Sequence, residues 1–200
     1  MLTRHLDTLM TSFRTKLAVL GTISALALML LFGAEAHAQA PAKKCVSLES
    51  KSIPGQYVRH TFFLGRVDPV VGDLGQKDAS FVQKPGLARP AAAGFASFES
   101  VNFPGFYLRH FAFGIVLAKN DGTDQFKKDA TFKVHPGLAD KTLASFEAIN
   151  FPGFFIRQWL LQGLVIGLAV PGDTSFDAAA TFKPVDGVSK AGCEAALKRP

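Results

Sequence analysis

The sequence predicts an all-β chain: three repeats of about 50 residues around a pseudo-threefold axis, behind an N-terminal export signal. Three observations predict it. Two short signatures each occur three times in one order, the stretches inside each repeat read as strands, and two cysteines stand near the two ends of the repeated region.

The first element in chain order is an uncharged apolar run, Leu17 to Ala34. Arg14 and Lys16 precede it, and small-x-small tripeptides such as Ala36-His37-Ala38 follow, which describes a secretory signal peptide over residues 1–38. An uncleaved anchor is the alternative, because a run of this length just spans a bilayer, and it would be the chain's one attachment to a membrane. No cysteine follows the run directly, which argues against a lipid anchor. Without the leader the formal charge falls from +6 to +5, since Arg4, Arg14 and Lys16 leave together with Asp7 and Glu35. The remaining lysines and arginines are scattered, in nothing longer than pairs such as Lys43-Lys44 and Lys127-Lys128. That distribution describes a solvated, mildly basic surface, and export argues against a nucleic-acid partner.

The repeats occupy residues 39–200. The first signature is SLESKSIPGQYVRH from Ser47 to His60, SFESVNFPGFYLRH from Ser97 to His110 and SFEAINFPGFFIRQ from Ser145 to Gln158. Some twenty residues later comes DASF at Asp78–Phe81, DATF at Asp129–Phe132 and AATF at Ala179–Phe182. The prolines Pro54, Pro104 and Pro152 mark the period and delimit repeats near 45–94, 95–144 and 145–193. Within a repeat, runs such as Tyr107-Leu108-Arg109-His110-Phe111 favour strands, and Pro-Gly pairs mark turns. No window carries a sustained helical period apart from the leader and the alanine-rich tail near Cys193. Seventeen of the 19 phenylalanines, all but Phe13 and Phe32, remain for a shared core.

Three units are too few to close a propeller, whereas three β units around a threefold axis form a β-trefoil. Such a fold brings its termini together. Cys45 and Cys193 would then form a disulfide in an oxidising compartment; two unrelated free thiols is the other reading.

The tandem S-F-E-x-x-N-[FY]-P-G-x-[YF]-[LI]-R-H and D-A-T-F-x-x-x-P-G-L signatures resemble the arabinose-binding β-trefoil domain of α-L-arabinofuranosidase B, carbohydrate-binding module family 42. The resemblance spans Cys45 to Cys193 and is fullest in the second repeat, through Phe132-Lys133-Val134-His135-Pro136-Gly137-Leu138. It implies one sugar pocket per repeat, in which a histidine of the first signature and an aspartate of the second hold an arabinofuranosyl side chain of hemicellulose or arabinan. The implied pairs are His60 with Asp78 and His110 with Asp129, with Tyr57 and Tyr107 covering the apolar face of the sugar. In the third repeat Gln158 and Ala179 replace both polar partners, which leaves a degenerate pocket and a count of two working sites. The family's usual catalytic neighbour has no counterpart here; a separate glycoside hydrolase is a possible partner, and a monomer is expected.

The pair suits a sugar because a carboxylate accepts two hydroxyl protons while neutral imidazole offers one donor and one acceptor. The plainer reading makes Asp78 and Asp129 turn or strand-start residues and His60 and His110 packing residues; their joint loss from the third repeat counts against it. Arg59, Arg109 and Arg157 recur in every repeat and read as ties between strands, and Glu49, Glu99 and Glu147 likewise read as scaffold, not as a glycosidase acid–base couple. Trp159 is a core or surface aromatic, or else an exposed stacking platform, and His135 stands alone before Pro136. No phosphate loop, nucleophile elbow or His/Cys metal set is present, so neither a cofactor nor a metal is expected. The rival functions are a protein-interaction scaffold, favoured by Lys51-Ser52-Ile53 where the other repeats read Val-Asn-Phe and Ile-Asn-Phe, and a small arabinofuranosidase.

Overall fold

In the computed structural model residues 43–199 are described; the leader falls outside them. The strands are β1 (Lys44–Ser50), β2 (Gln56–Thr61), β3 (Leu64–Pro69), β4 (Phe81–Pro85), β5 (Phe95–Ser100), β6 (Phe106–Phe111), β7 (Gly114–Lys119), β8 (Phe132–Pro136), β9 (Ala144–Ala148), β10 (Phe154–Gln158), β11 (Leu164–Leu168) and β12 (Phe182–Asp186). All pairings are antiparallel. Strand β1 pairs with β4, β4 with β5, β5 with β8, β8 with β9, β9 with β12 and β12 with β1, so these strands close on themselves and leave no edge. The hairpins β2–β3, β6–β7 and β10–β11 stand on this ring, and β7 contacts both β3 and β11.

The core is built in triplets, one residue from each repeat. Leu48, Phe98 and Phe146 form one set, Phe81, Phe132 and Phe182 another, and Val58, Leu108 and Ile156 a third, all at most 2 % exposed. Each fully buried ring of this kind stabilises the fold by roughly 1.5–3 kcal/mol. The Pro-Gly turns are equally regular. Gly55, Gly105 and Gly153 take φ of 81°, 80° and 84°, the left-handed position of a proline-led turn that only glycine enters without strain. Their amides donate to Glu49, Glu99 and Glu147 at 2.9, 2.7 and 2.6 Å. The three recurring glutamates are therefore scaffold.

Cys45 and Cys193 form a disulfide, with Cα atoms 5.5 Å apart across a separation of 148 residues. The backbone at Gly187 runs so close to the bridge that a Cβ there would collide with Cys193 Sγ. The alanine-rich tail is helical, Lys190–Leu197, as its composition suggests.

Three further helices correct the all-strand reading of the repeat interior: α1 (Gly72–Asp78), α2 (Asp124–Asp129) and α3 (Thr174–Ala179). Each is under two turns long, too short to show a helical period in sequence. Each ends on the first residue of the second signature. Asp78 and Asp129 are thus the last residues of helices, not turn or strand-start residues.

Candidate functional site

Each helix sets its final side chain against the hairpin that precedes it. In the first repeat Asp78 Oδ2 accepts from Arg59 Nη2 at 3.0 Å, and His60 Nε2 lies 3.5 Å from Asp78 Oδ1. In the second repeat Asp129 bonds Arg109, and His110 Nε2 lies 3.3 Å from Asp129 Oδ1. His60, Asp78, His110 and Asp129 are all buried. The structure therefore brings together both pairs that the signatures nominate. It also corrects the role of Arg59 and Arg109: they are not ties between strands but the counter-ions of the two aspartates.

One polar member of each site was not nominated. Asn102 Nδ2 donates to Asp78 Oδ1 at 2.8 Å, and Asn102 Oδ1 accepts from His60 Nε2 at 3.2 Å. Asn150 does the same with Asp129 and His110, at 2.8 and 2.9 Å. Each asparagine belongs to the repeat after the one that supplies the histidine and aspartate. The asparagine of the first signature carried the signal; its pairing across repeats was invisible without the fold.

An amide oxygen can only accept, so His60 and His110 donate from Nε2, which leaves Nδ1 as an acceptor in a neutral ring. Burial pushes the His60 imidazole below its usual 6.5, against the opposing pull of Asp78 and Asn102. Asp78 uses two of about four acceptor positions on protein donors, so room for hydroxyl donors remains. Asp129 accepts a third bond, from Gln125 Nε2 at 2.7 Å, where the first site has Leu74.

The apolar wall differs from expectation. Phe63 and Phe103 flank His60, with ring centroids at 6.5 and 5.4 Å, and Phe151 packs edge-on to His110 at 5.2 Å beside Phe113. Tyr57 and Tyr107 line neither cavity. Tyr107 instead packs on Phe126 of α2 and accepts a bond from Lys84 at 3.4 Å. Three positions separate Tyr107 from His110 in one strand, so the two leave it on opposite faces. Both cavities measure about 270 Å³.

Phe62-Phe63, Ala112-Phe113 and Leu161-Gln162 form the tips of the three hairpins, every one at positive φ between 47° and 65°. Two-residue hairpin tips of this type ordinarily carry Asn-Gly. Phe62, Phe63, Ala112 and Phe113, held there at the rim of the two cavities, are strained positions of the kind found at binding sites.

The third site lacks the constellation. Gln158 Nε2 donates to the Trp159 carbonyl, Ala179 is a buried methyl, and Arg157 lies over the rings of Trp159 and Phe176 at 4.5 and 4.7 Å. His135 is not alone: Nε2 lies 2.6 Å from Glu147 Oε2. Burial pushes the Glu147 carboxyl up, but the Gly153 amide and His135 outweigh it and hold it below its usual range. Among the described residues no group of three or more His, Cys, Asp or Glu could hold a metal ion, and no helix is long and apolar enough to cross a membrane.

Residues 39–88, 63–165 and 132–197 match the family described as the Alpha-L-arabinofuranosidase B (ABFB) domain. The chain is 48 % identical over 63 residues to alpha-L-arabinofuranosidase B of Aspergillus oryzae, covering 32 % of this chain and 12 % of that protein. It is 52 % identical over 58 residues to the Emericella nidulans enzyme, covering 28 % and 11 %. The chain thus matches only about an eighth of the length of these relatives. Among solved structures it superposes on an arabinofuranosidase complexed with arabinofuranosyl-alpha-1,2-xylobiose, with a TM-score of 0.65 and 26 % identity over 76 % of this chain and 33 % of that one. A Polyporus squamosus lectin shares the fold alone, at a TM-score of 0.54 and 10 % identity over 72 % of this chain and 49 % of the lectin.

Proposed function

The chain belongs to the Alpha-L-arabinofuranosidase B (ABFB) domain family, and from that membership we propose that it is an exported, non-catalytic module that binds arabinofuranosyl side chains of hemicellulose or arabinan. The observation that carries this reading is the pair of equal cavities, each lined by an Arg–Asp–His set and by phenylalanine rings, with an asparagine holding the aspartate. A furanose presents hydroxyls and a C–H face together. The free acceptor positions of the carboxylate take hydroxyl protons through charge-assisted bonds, and the rings cover the C–H face. Arginine and asparagine hold the carboxylate so that a ligand meets it already oriented.

We read the closed ring with its three hairpins as a β-trefoil whose repeats run near 45–94, 95–144 and 145–193, preceded by a leader over residues 1–38. The Cys45–Cys193 disulfide supports an oxidising, exported location. Neither site presents two carboxylates facing each other across a cavity, which supports binding without hydrolysis. Two sites on one rigid body would hold a branched polymer with avidity beyond that of either alone.

Isothermal titration with arabinan-derived oligosaccharides tests the reading, beside the Asp78→Ala/Asp129→Ala variant checked for folding by circular dichroism. Heat from the wild type and none from the variant is expected. Undiminished heat from the folded variant overturns the site assignment. No heat from the wild type overturns the function and transfers the case to a protein-interaction scaffold.

A further inference from the structure

The departures from the repeat pattern converge on one place. The amides of Val101 and Ile149 donate to the Ser80 and Thr131 carbonyls at 3.2 and 3.3 Å, and in the same way Lys51 donates to Thr181 at 3.0 Å. Ser52 and Ile53 therefore stand to the third site as Asn102 and Phe103 stand to the first. The deviant stretch of repeat one and the deviant residues of repeat three, Gln158 and Ala179, alter the same site. The carboxylate, the amide and the phenylalanine wall are lost there together, while the arginine is kept.

That arginine is held but not neutralised. Arg157 packs against the Trp159 and Phe176 rings, and its Nε donates to the Gln158 carbonyl at 3.3 Å. Among the described residues no carboxylate forms an ion pair with it, unlike Arg59 and Arg109. The nearest acidic influence is Asp173, whose Oδ1 is engaged by Ser175 and by the Phe176 amide at the start of α3. Burial disfavours the guanidinium's charge, yet arginine stays protonated in proteins. Among the described residues only Nε of Arg157 donates to protein, so the Nη1 and Nη2 donors remain for a ligand, and that fork matches a carboxylate. Trp159, 49 % exposed, adds an apolar surface beside it.

We propose that Arg157 and Trp159 form a third, anion-selective site that takes the carboxylate of a uronic acid residue, so that one molecule reads neutral furanose at two sites and an acidic sugar at the third. The sugar part of this inference rests on the carbohydrate-binding reading above; the anion part rests on Arg157 alone.

Trp159 is the chain's single tryptophan, so its fluorescence reports on this site without a label. Titration at constant ionic strength with methyl glucuronoside, the uncharged methyl glucoside and inorganic sulfate is expected to give a saturable change with the uronate only. Ala179→Asp supplies Arg157 with the internal carboxylate of the other two repeats. It should weaken the uronate response at least tenfold and leave the heat of arabinan-oligosaccharide binding unchanged. Arg157→Gln should do the same, and Asp78→Ala/Asp129→Ala should keep the uronate response. No uronate response in the wild type, an equal response to glucoside or sulfate, or a full response in folded Ala179→Asp overturns the proposal. No arabinan heat from the wild type, with its uronate response intact, would instead overturn the function proposed for the first two sites.

Discussion

Asn102 and Asp78 meet across the seam between the first two repeats, the amide Nδ2 donating to the carboxylate Oδ1 at 2.8 Å. Asn150 and Asp129 repeat the contact across the next seam at the same distance. A site is thus the property of two consecutive repeats: one supplies the arginine, histidine and aspartate, the next the asparagine and a phenylalanine. The structure accordingly removes a difficulty raised by the sequence. Lys51-Ser52-Ile53 looks like damage to the first repeat, but it leaves the first site intact, because that site draws on Asn102 and Phe103.

Replacing Asn102 should therefore damage the site of the preceding repeat and not that of its own. A hydrogen bond to a charged group contributes roughly 1.5–3 kcal/mol, and about 1.4 kcal/mol is a factor of ten. Asn102→Ala in an Asp129→Ala background, where only the first site remains, should weaken oligosaccharide binding about tenfold or more by titration calorimetry. Asn102→Ala in an Asp78→Ala background should leave the second site's affinity unchanged.

The two aspartates differ in what their removal exposes. Arg109 lies over the Phe126 and Phe111 rings at 5.1 and 5.6 Å, whereas the position equivalent to Phe126 in α1 is Gly75, and Arg59 Nε is buried without a partner. Breaking a buried ion pair costs up to about 3–5 kcal/mol when the survivor has no other support. Ring contacts return roughly 0.5–2 kcal/mol of it. Asp78→Ala should destabilise the fold by about 1 kcal/mol more than Asp129→Ala in denaturant melts. The third repeat, with Ala179 beneath a ring-packed Arg157, already tolerates the second kind of loss.

Much of this was legible because the repeat is its own alignment. The period gave the three-unit organisation, and the resemblance to the family gave the histidine–aspartate pairs. The end cysteines were consistent with closure. What stayed hidden depends on which repeat touches which: Asn102 and Asn150 act on the preceding repeat, and no spacing rule says so. The tyrosines mislead because an aromatic three residues from a histidine looks adjacent in sequence, while a strand sends residues three apart to opposite faces. The short helices were missed because under two turns carry no period. In sequence Arg59 and Arg109 read as scaffold because Arg157 survives in the degenerate repeat, where it packs against the Trp159 and Phe176 rings.

The hairpin tips separate stability from binding. Phe62 is 92 % exposed at φ 48°, and Ala112 holds the equivalent place at φ 47°. A non-glycine residue in this conformation costs roughly 1–2 kcal/mol, offset in part by the greater freedom glycine gives the unfolded chain. Phe62→Gly and Ala112→Gly should both stabilise the protein by about 0.5–1 kcal/mol, raising the melting temperature by a few degrees. Phe62 and Ala112 each line a cavity, but only Phe62 presents a ring there, so Phe62→Gly should weaken oligosaccharide binding more than Ala112→Gly. Destabilisation by Ala112→Gly would show that the tips are not strained.

His60 gives the first site a pH dependence of determinable sign. Its imidazole titrates below the usual 6.5 because burial disfavours the charged form. Between that lowered value and 6.5 the unfolded chain binds more protons than the folded one, so stability falls as pH drops through this window and is flat with respect to His60 above it. A neutral ring is also what keeps Nδ1 an acceptor, so the first site should hold its affinity down to pH 6.5 and lose it only further down. Asp78 pulls the His60 value upward; Asp78→Asn should therefore lower the midpoint further in an NMR titration of the ring protons. A midpoint above 6.5 in the wild type would mean that the carboxylate rather than burial governs the imidazole, and stability would then be lost as pH rises through that midpoint; a midpoint that rises in Asp78→Asn would mean that Asp78 does not draw the proton onto the ring.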